Sequence, residues 1–169
     1  MKFKRTAATV AALLLLGACG DAARSLAAGE PGDDAVCALD GMSIKDYPGP
    51  KAQIVLQDGR IDFFCTLAEL FEGGDGARAA GASYVQDMGQ ADWDKPRGHW
   101  IAASAAFYVV DSRAQGAMGP TIGTFARQQD AQAFAAREGG RVLDYSQVKT
   151  ALSATNAKPA HEAHDDSMR

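Results

Sequence analysis

Residues 53–74, QIVLQDGRIDFFCTLAELFEGG, carry a folding unit in a single run. Gln53–Leu56 and Ile61–Cys65 are rich in β-branched and aromatic residues. Asp58-Gly59 stands between them, the residue pair that a tight β-hairpin turn prefers. Thr66-Leu67-Ala68-Glu69 then has the capping-box spacing, in which the threonine and the glutamate satisfy each other's free backbone N–H groups at a helix start. Leu67, Leu70 and Phe71 give that helix an apolar face, and Gly73-Gly74 ends it. An alternating stretch at Ala82–Met88 predicts a further strand. The order is strand, strand, helix, strand.

The same order returns downstream. Ala105–Asp111 (AAFYVVD) predicts a buried strand, and Thr121–Phe125 a second extended stretch. Gln128–Glu138 follows as a helix with Ala131, Phe134 and Ala135 on one face. Gly139-Gly140 stops it, and Arg141–Tyr145 makes a last strand. The predicted class is therefore α+β, with two similar small ββαβ lobes packed side by side, residues 35–101 and 102–152. Neither lobe is large enough to bury a core alone. A cleft between them is where a ligand site is expected.

The ends read differently. Lys2, Lys4 and Arg5 precede an apolar run, Ala7–Leu16, too short to span a bilayer, as in an export signal over residues 1–18. Leu16-Gly17-Ala18-Cys19 has the form of a lipobox, making Cys19 the acceptor of a diacylglyceryl anchor. Gly20 rather than an aspartate follows, which favours the outer membrane over the inner, on its periplasmic face. Residues 19–34 read as a flexible lipid-anchored linker and residues 153–169 as a disordered tail. The chain has 17 basic and 21 acidic residues, and three of the basic ones lie in the signal, so the exported part is acidic. It has no electrostatic footprint for nucleic acid.

With Cys19 acylated, Cys37 and Cys65 remain, and in an oxidising compartment two cysteines commonly form a disulfide. Cys37-Ala38-Leu39-Asp40-Gly41-Met42 suggests a second use. It sets a thiol and a thioether at close spacing, the soft ligands that select Cu(I). Met118, in Gly116-Ala117-Met118-Gly119-Pro120, and Met88, before Gly89, also sit beside glycines in turns or at strand ends. Core packing is the alternative for each methionine. Cys65 adjoins a helix N-terminus, which pushes a thiol toward thiolate; filler, disulfide partner and ligand are all open to it. His99 is either a further ligand or a residue packed beside Trp100. Asp33, Asp34 and Asp40 around Cys37, with no adjacent cation, are a poor setting for a catalytic thiolate. No P-loop, HExxH, CxxC or dinucleotide fingerprint is present. Binding, not catalysis, is the expectation.

Taken together, the lipobox, Cys37-x-x-x-Gly41-Met42, Phe64-Cys65, Tyr84-Val85-Gln86-Asp87, Phe107-Tyr108-Val109-Val110, Met118-Gly119-Pro120 and Gly139-Gly140-Arg141-Val142-Leu143 resemble the NosL-type lipoproteins. These are copper accessory proteins of nitrous-oxide reductase assembly. The resemblance covers residues 35–150 in order. It implies two ββαβ lobes akin to a lobe of organomercurial lyase, and Cu(I) binding and delivery without catalysis. The implied acceptors are nitrous-oxide reductase and its maturation machinery, including an ABC-type transporter complex and a periplasmic partner. The implied metal ligands are Cys37, Met42 and Met118, with Cys65, Met88 and His99 as secondary or supporting residues. The chain departs from many members in having Ala38-Leu39-Asp40 where they carry a second cysteine before Gly-Met. Two other readings compete: an organomercurial-lyase-like thiol enzyme, and a structural lipoprotein with a Cys37–Cys65 disulfide.

Overall fold

The structure, a computed structural model, describes residues 26–74 and 76–156. The signal, Cys19 and most of the final tail lie outside the described residues. The first lobe contains β1 (Ala52–Val55), β2 (Ile61–Phe64), helix α1 (Leu67–Glu72), β3 (Ala82–Gln86) and β4 (Trp100–Ala102). The second contains β5 (Phe107–Val110), a short hairpin of β6 (Gln115–Gly116) and β7 (Gly119–Pro120), β8 (Gly123–Phe125), helix α2 (Gln128–Glu138) and β9 (Arg141–Leu143). Helix α3 (Tyr145–Asn156) ends the described chain.

The two lobes share one topology. In each, the first strand is central, flanked by the second and by the strand after the helix. The orders are β2-β1-β3-β4 and β8-β5-β9, with every pairing antiparallel. The expected duplicated ββαβ arrangement is present, within an α+β fold. Ala52, Gln53, Ile54 and Val55 of the central strand are all buried, as a strand covered on both faces requires.

Four features depart from the sequence reading. First, the last strand stops at Leu143, and Tyr145 begins α3. Asp144 Oδ1 accepts from Gln147 N at 2.9 Å while Gln147 Oε1 accepts from Asp144 N at 2.9 Å, a capping box that starts the helix. Secondly, α3 runs through Ser153 to Asn156, so the tail expected to be disordered is helical in its first four residues. Val148 is fully buried and Tyr145 and Leu152 pack beside it, holding the helix down. Thirdly, β4 and the β6–β7 hairpin add strands that the sequence pattern does not assign. Fourthly, Leu26–Glu30, in the expected linker, is held on the first sheet. Tyr84 Oη donates to Leu26 O at 2.8 Å, and the Gln53 amide both accepts from Gly29 N and donates to Gly29 O.

The lobes are joined across an edge and through a core. Thr124 Oγ1 of β8 donates to Gln86 O at the end of β3, and Met88 N donates to Thr124 O, at 2.7 and 2.8 Å. Asp87, buried between them, accepts from Ala126 N. One apolar cluster combines Ile54, Phe64, Leu67 and Val85 of the first lobe with Tyr108 and Val110 of the second and Val148 of α3. Among the described residues no helix is long and apolar enough to cross a membrane.

Candidate metal site

The segment 37–42 is a closed turn. Val36 and Ser43 form an antiparallel bridge. Cys37 N donates to Met42 O at 2.8 Å and Gly41 N to Cys37 O at 3.0 Å. Gly41 has φ +76°, a left-handed conformation that costs a residue with a Cβ, which explains the glycine before the methionine. Asp40 Oδ1 accepts from Met42 N and stiffens the turn from inside. Cys37 and Met42 are thus neighbours across the turn, and both pack into one small cluster with Ile44, Phe63 and Cys65.

A second set of contacts brings in Cys65. Cys37 bridges in parallel to Phe63, and Ala38 N donates to Phe63 O at 2.8 Å, so the turn is laid along the end of β2. Cys65 follows β2 directly. The capping box of α1 then folds the Glu69 side chain back toward it. Thr66 N and Thr66 Oγ1 donate to Glu69 Oε2 at 2.9 and 3.0 Å, while Glu69 N donates to Thr66 Oγ1 at 3.3 Å. The two thiols complete the arrangement: Cys37 Sγ donates to Glu69 Oε1 and Cys65 Sγ to Glu69 Oε2, each at 3.1 Å. Cys37 is 3% exposed and Cys65 1%. Ligand atoms of Cys37, Asp40, Cys65 and Glu69 all lie within 4.8 Å of one another.

The electrostatics hold both sulfurs as thiols in the absence of metal. Burial pushes the Cys37 thiol up, partly offset by the backbone N–H groups of Asp40, Leu39 and Cys65 directed at its sulfur. Cys65 is pushed up strongly, first by burial, then by its hydrogen bond to Glu69 and the carboxylate charge. The helix N-terminus was expected to favour the Cys65 thiolate; an apolar surrounding and an anion within hydrogen-bond distance override it. Both cysteines are free, and their hydrogens are spent on Glu69. Lys51 supplies a cation nearby. It is 2% exposed, and its Nζ donates to Tyr47 O and Pro48 O at 2.8 and 3.0 Å. Burial lowers its pKa to about 8, with Cys65 and Glu69 acting in the opposite direction.

The other expected site residues separate. Met118 lies between β6 and β7 and is 58% exposed, while its neighbour Ala117 packs against the Cys37–Cys65 cluster. The second lobe therefore reaches the site by this hairpin. Met88 does not belong there: it packs on Val109, Phe125, Ala131 and Phe134 in the other apolar cluster, as core filling. His99 is exposed, at φ +54°, and is not in the cluster of potential ligands. Its backbone carbonyl, accepting from Asp87 N, is what ties it to the fold. Glu69 was read only as a helix cap. The signal for its second role was its position four residues after Cys65, since a capping-box glutamate must turn back over the residues before the helix.

Comparison with known proteins places this arrangement. The family NosL matches residues 28–153. The chain is 38% identical over 170 residues to the copper-binding lipoprotein NosL of Stutzerimonas stutzeri, covering 95% of this chain and 89% of that one. It is 36% identical to the protein of the same name from Achromobacter cycloclastes, covering 92% and 86%. The crystal structure of the copper chaperone NosL from Shewanella denitrificans superposes with a TM-score of 0.70 at 32% identity, over 75% of this chain and 98% of that one. A match along nearly the whole chain, with the same fold beneath it, makes this protein a member of the NosL family.

Proposed function

We propose that this chain is a lipid-anchored Cu(I) chaperone that supplies copper for the copper–sulfide centre of nitrous-oxide reductase. The observation that carries the reading is the gathering of soft sulfur donors in one cluster of the first lobe, with the second lobe's hairpin laid against it. Cys37 and Met42 face one cluster from the first lobe, and Ala117, beside Met118, packs on it from the second. Thiolate and thioether donors suit Cu(I) better than harder cations. The relatives' names, copper-binding lipoprotein and copper chaperone, agree with that donor chemistry.

Cys37, Met42 and Met118 are the ligands in this reading. A thiolate and two thioethers around Cu(I) leave the Met118 side open to solvent. An acceptor's sulfur or imidazole enters there, and copper passes without becoming free. The reading also explains the lack of catalytic activation: a binding thiol needs a metal to displace its proton, not a base to remove it beforehand. Cys19 carries the lipid, facing the periplasm, with the outer membrane favoured. The partners are the reductase and its transporter-linked maturation complex.

The test is anaerobic Cu(I) titration of the full chain in detergent, against Cys37→Ser, Met42→Leu and Met118→Leu. Each substitution weakens binding; wild-type affinity in all three rejects the ligand set. For delivery, the copper content of the reductase is measured in cells lacking this chain. A fully loaded reductase there rejects the delivery role.

A further inference from the structure

Resting on the copper reading, we infer that Cys65 is a second thiolate ligand, so the cargo is held between two thiolates, Cys37 and Cys65, and not by Cys37 alone. The argument is geometric. The two thiols donate to the two oxygens of one carboxylate, so both sulfurs border the same small space. Their separation lies within 4.8 Å. Metal–thiolate bonds of about 2.3 Å let one ion bridge sulfurs up to about 4.6 Å apart, or about 4 Å apart with a third ligand in trigonal geometry. From the 4.8 Å limit, insertion requires the sulfurs to approach by at most about 0.2 Å in linear geometry or about 0.8 Å in trigonal geometry.

The setting favours two thiolates as well. Each thiol is buried in the same cluster, from which water is excluded. Lys51, buried nearby with its ammonium on Tyr47 O and Pro48 O, supplies a positive charge that Cys65 and Glu69 feel through space. The other charged groups facing the sulfurs are Glu69 and Asp40. Copper enters as Cu(I) with no change of oxidation state. Two S–H bonds break, two Cu–S bonds form, and both protons leave to solvent. The departure noted in the family pattern, Ala38-Leu39-Asp40 in place of a second cysteine, is thereby compensated from the far side of the cluster. Thiolate pairing comes from Cys65 at the end of β2, not from within the turn.

The experiment compares the full chain in detergent with Cys65→Ser and Cys37→Ser, each loaded anaerobically with one equivalent of Cu(I). The readouts are affinity by competition with a chromogenic chelator and the near-ultraviolet thiolate-to-Cu(I) charge-transfer band, to which thioethers contribute little. Two thiolates predict that Cys65→Ser retains about half the band per copper and binds at least tenfold more weakly. Cys37→Ser likewise retains about half. A Cys65→Ser protein with wild-type affinity and an undiminished band overturns the inference while leaving the copper reading intact. If Cys65→Ser fails to fold by circular dichroism, Cys37→Ser decides alone: a residual band supports the second thiolate and its complete loss refutes it. Absence of copper binding by the wild-type chain sinks the copper reading itself.

Discussion

Cys65 and Glu69 stand four residues apart at the start of α1, and the Cys65 thiol donates to Glu69 Oε2 at 3.1 Å, the same oxygen that receives the Thr66 backbone N–H. One side chain thus starts a helix and orders a pair of sulfurs. The two roles are not separable in space, which sets what a substitution there must do.

Glu69→Ala removes the return half of the capping box and leaves Thr66 N, Thr66 Oγ1 and both thiols without their acceptor. Loss of a cap costs about 1 kcal/mol and each buried donor left unpaired about 1–3 kcal/mol, the thiols being weak donors at the low end. The expected destabilisation is about 3 kcal/mol, measured by urea unfolding of the metal-free protein. Glu69→Gln keeps one carbonyl oxygen and loses roughly half as much. Equal, small effects for both variants would contradict this account of the carboxylate.

The raised Cys65 pKa has a definite consequence for stability against pH. The unfolded thiol ionises near its ordinary value of 9.0, the folded one well above it. Between the two, the native state holds a proton that the unfolded state has released. Cys65 therefore contributes stability that is complete below pH 9 and is lost as pH rises beyond it. Lys51 acts in the opposite sense between about 8 and its ordinary 10.5, so wild type alone does not isolate the effect. The difference in unfolding free energy between wild type and Cys65→Ser does. It falls above pH 9 by up to about 1.4 kcal/mol per pH unit; a flat difference from pH 7 to pH 11 excludes the assignment.

At Gly41 the strain is purely conformational, since nothing lies within 4 Å of an added Cβ. Gly41→Ala should cost about 1–2 kcal/mol, the penalty of the left-handed region for an L-residue. Gly41→Asn should cost less, because asparagine tolerates that region. Thermal melts of the two variants read the difference directly. Cu(I) affinity is expected to follow the same order, because this turn sets Cys37 against Met42.

Met118 offers the cleanest separation of binding from folding. It is exposed, so Met118→Leu should leave the unfolding free energy from urea titration within about 0.5 kcal/mol of wild type. Cu(I) binding should nevertheless weaken. A loss of stability without a change in affinity would make Met118 a packing residue.

Much of the fold was legible because local rules and tertiary packing agree. The capping box at Thr66–Glu69, the α2 span and the terminating Gly139 follow from backbone chemistry that needs no distant partner. Helix α3 was missed although Tyr145, Val148 and Leu152 are helically spaced, because its remaining residues are polar and Asp144–Gln147 was not read as a cap. The proposed site was half legible. Cys37 and Met42 are joined by a local turn, so their spacing announced them. Cys65 reaches Cys37 only through the parallel bridge to Phe63, a non-local pairing that no spacing encodes. Met88 was misplaced for the opposite reason: a glycine follows it, but its side chain turns into the second lobe's core.

The repeated strand order gives the shared core a geometric reason. A solitary ββαβ unit leaves apolar surface uncovered, and the smallest assembly that hides it is two copies against each other. This chain carries both copies in tandem, and its asymmetric parts use that linkage. Strand β4 extends only the first sheet, and α3 passes from the end of the second repeat to cover residues of the first. Within one chain the two repeats need not match: the first carries the cysteine turn, and the second the β6–β7 hairpin whose Ala117 packs on it.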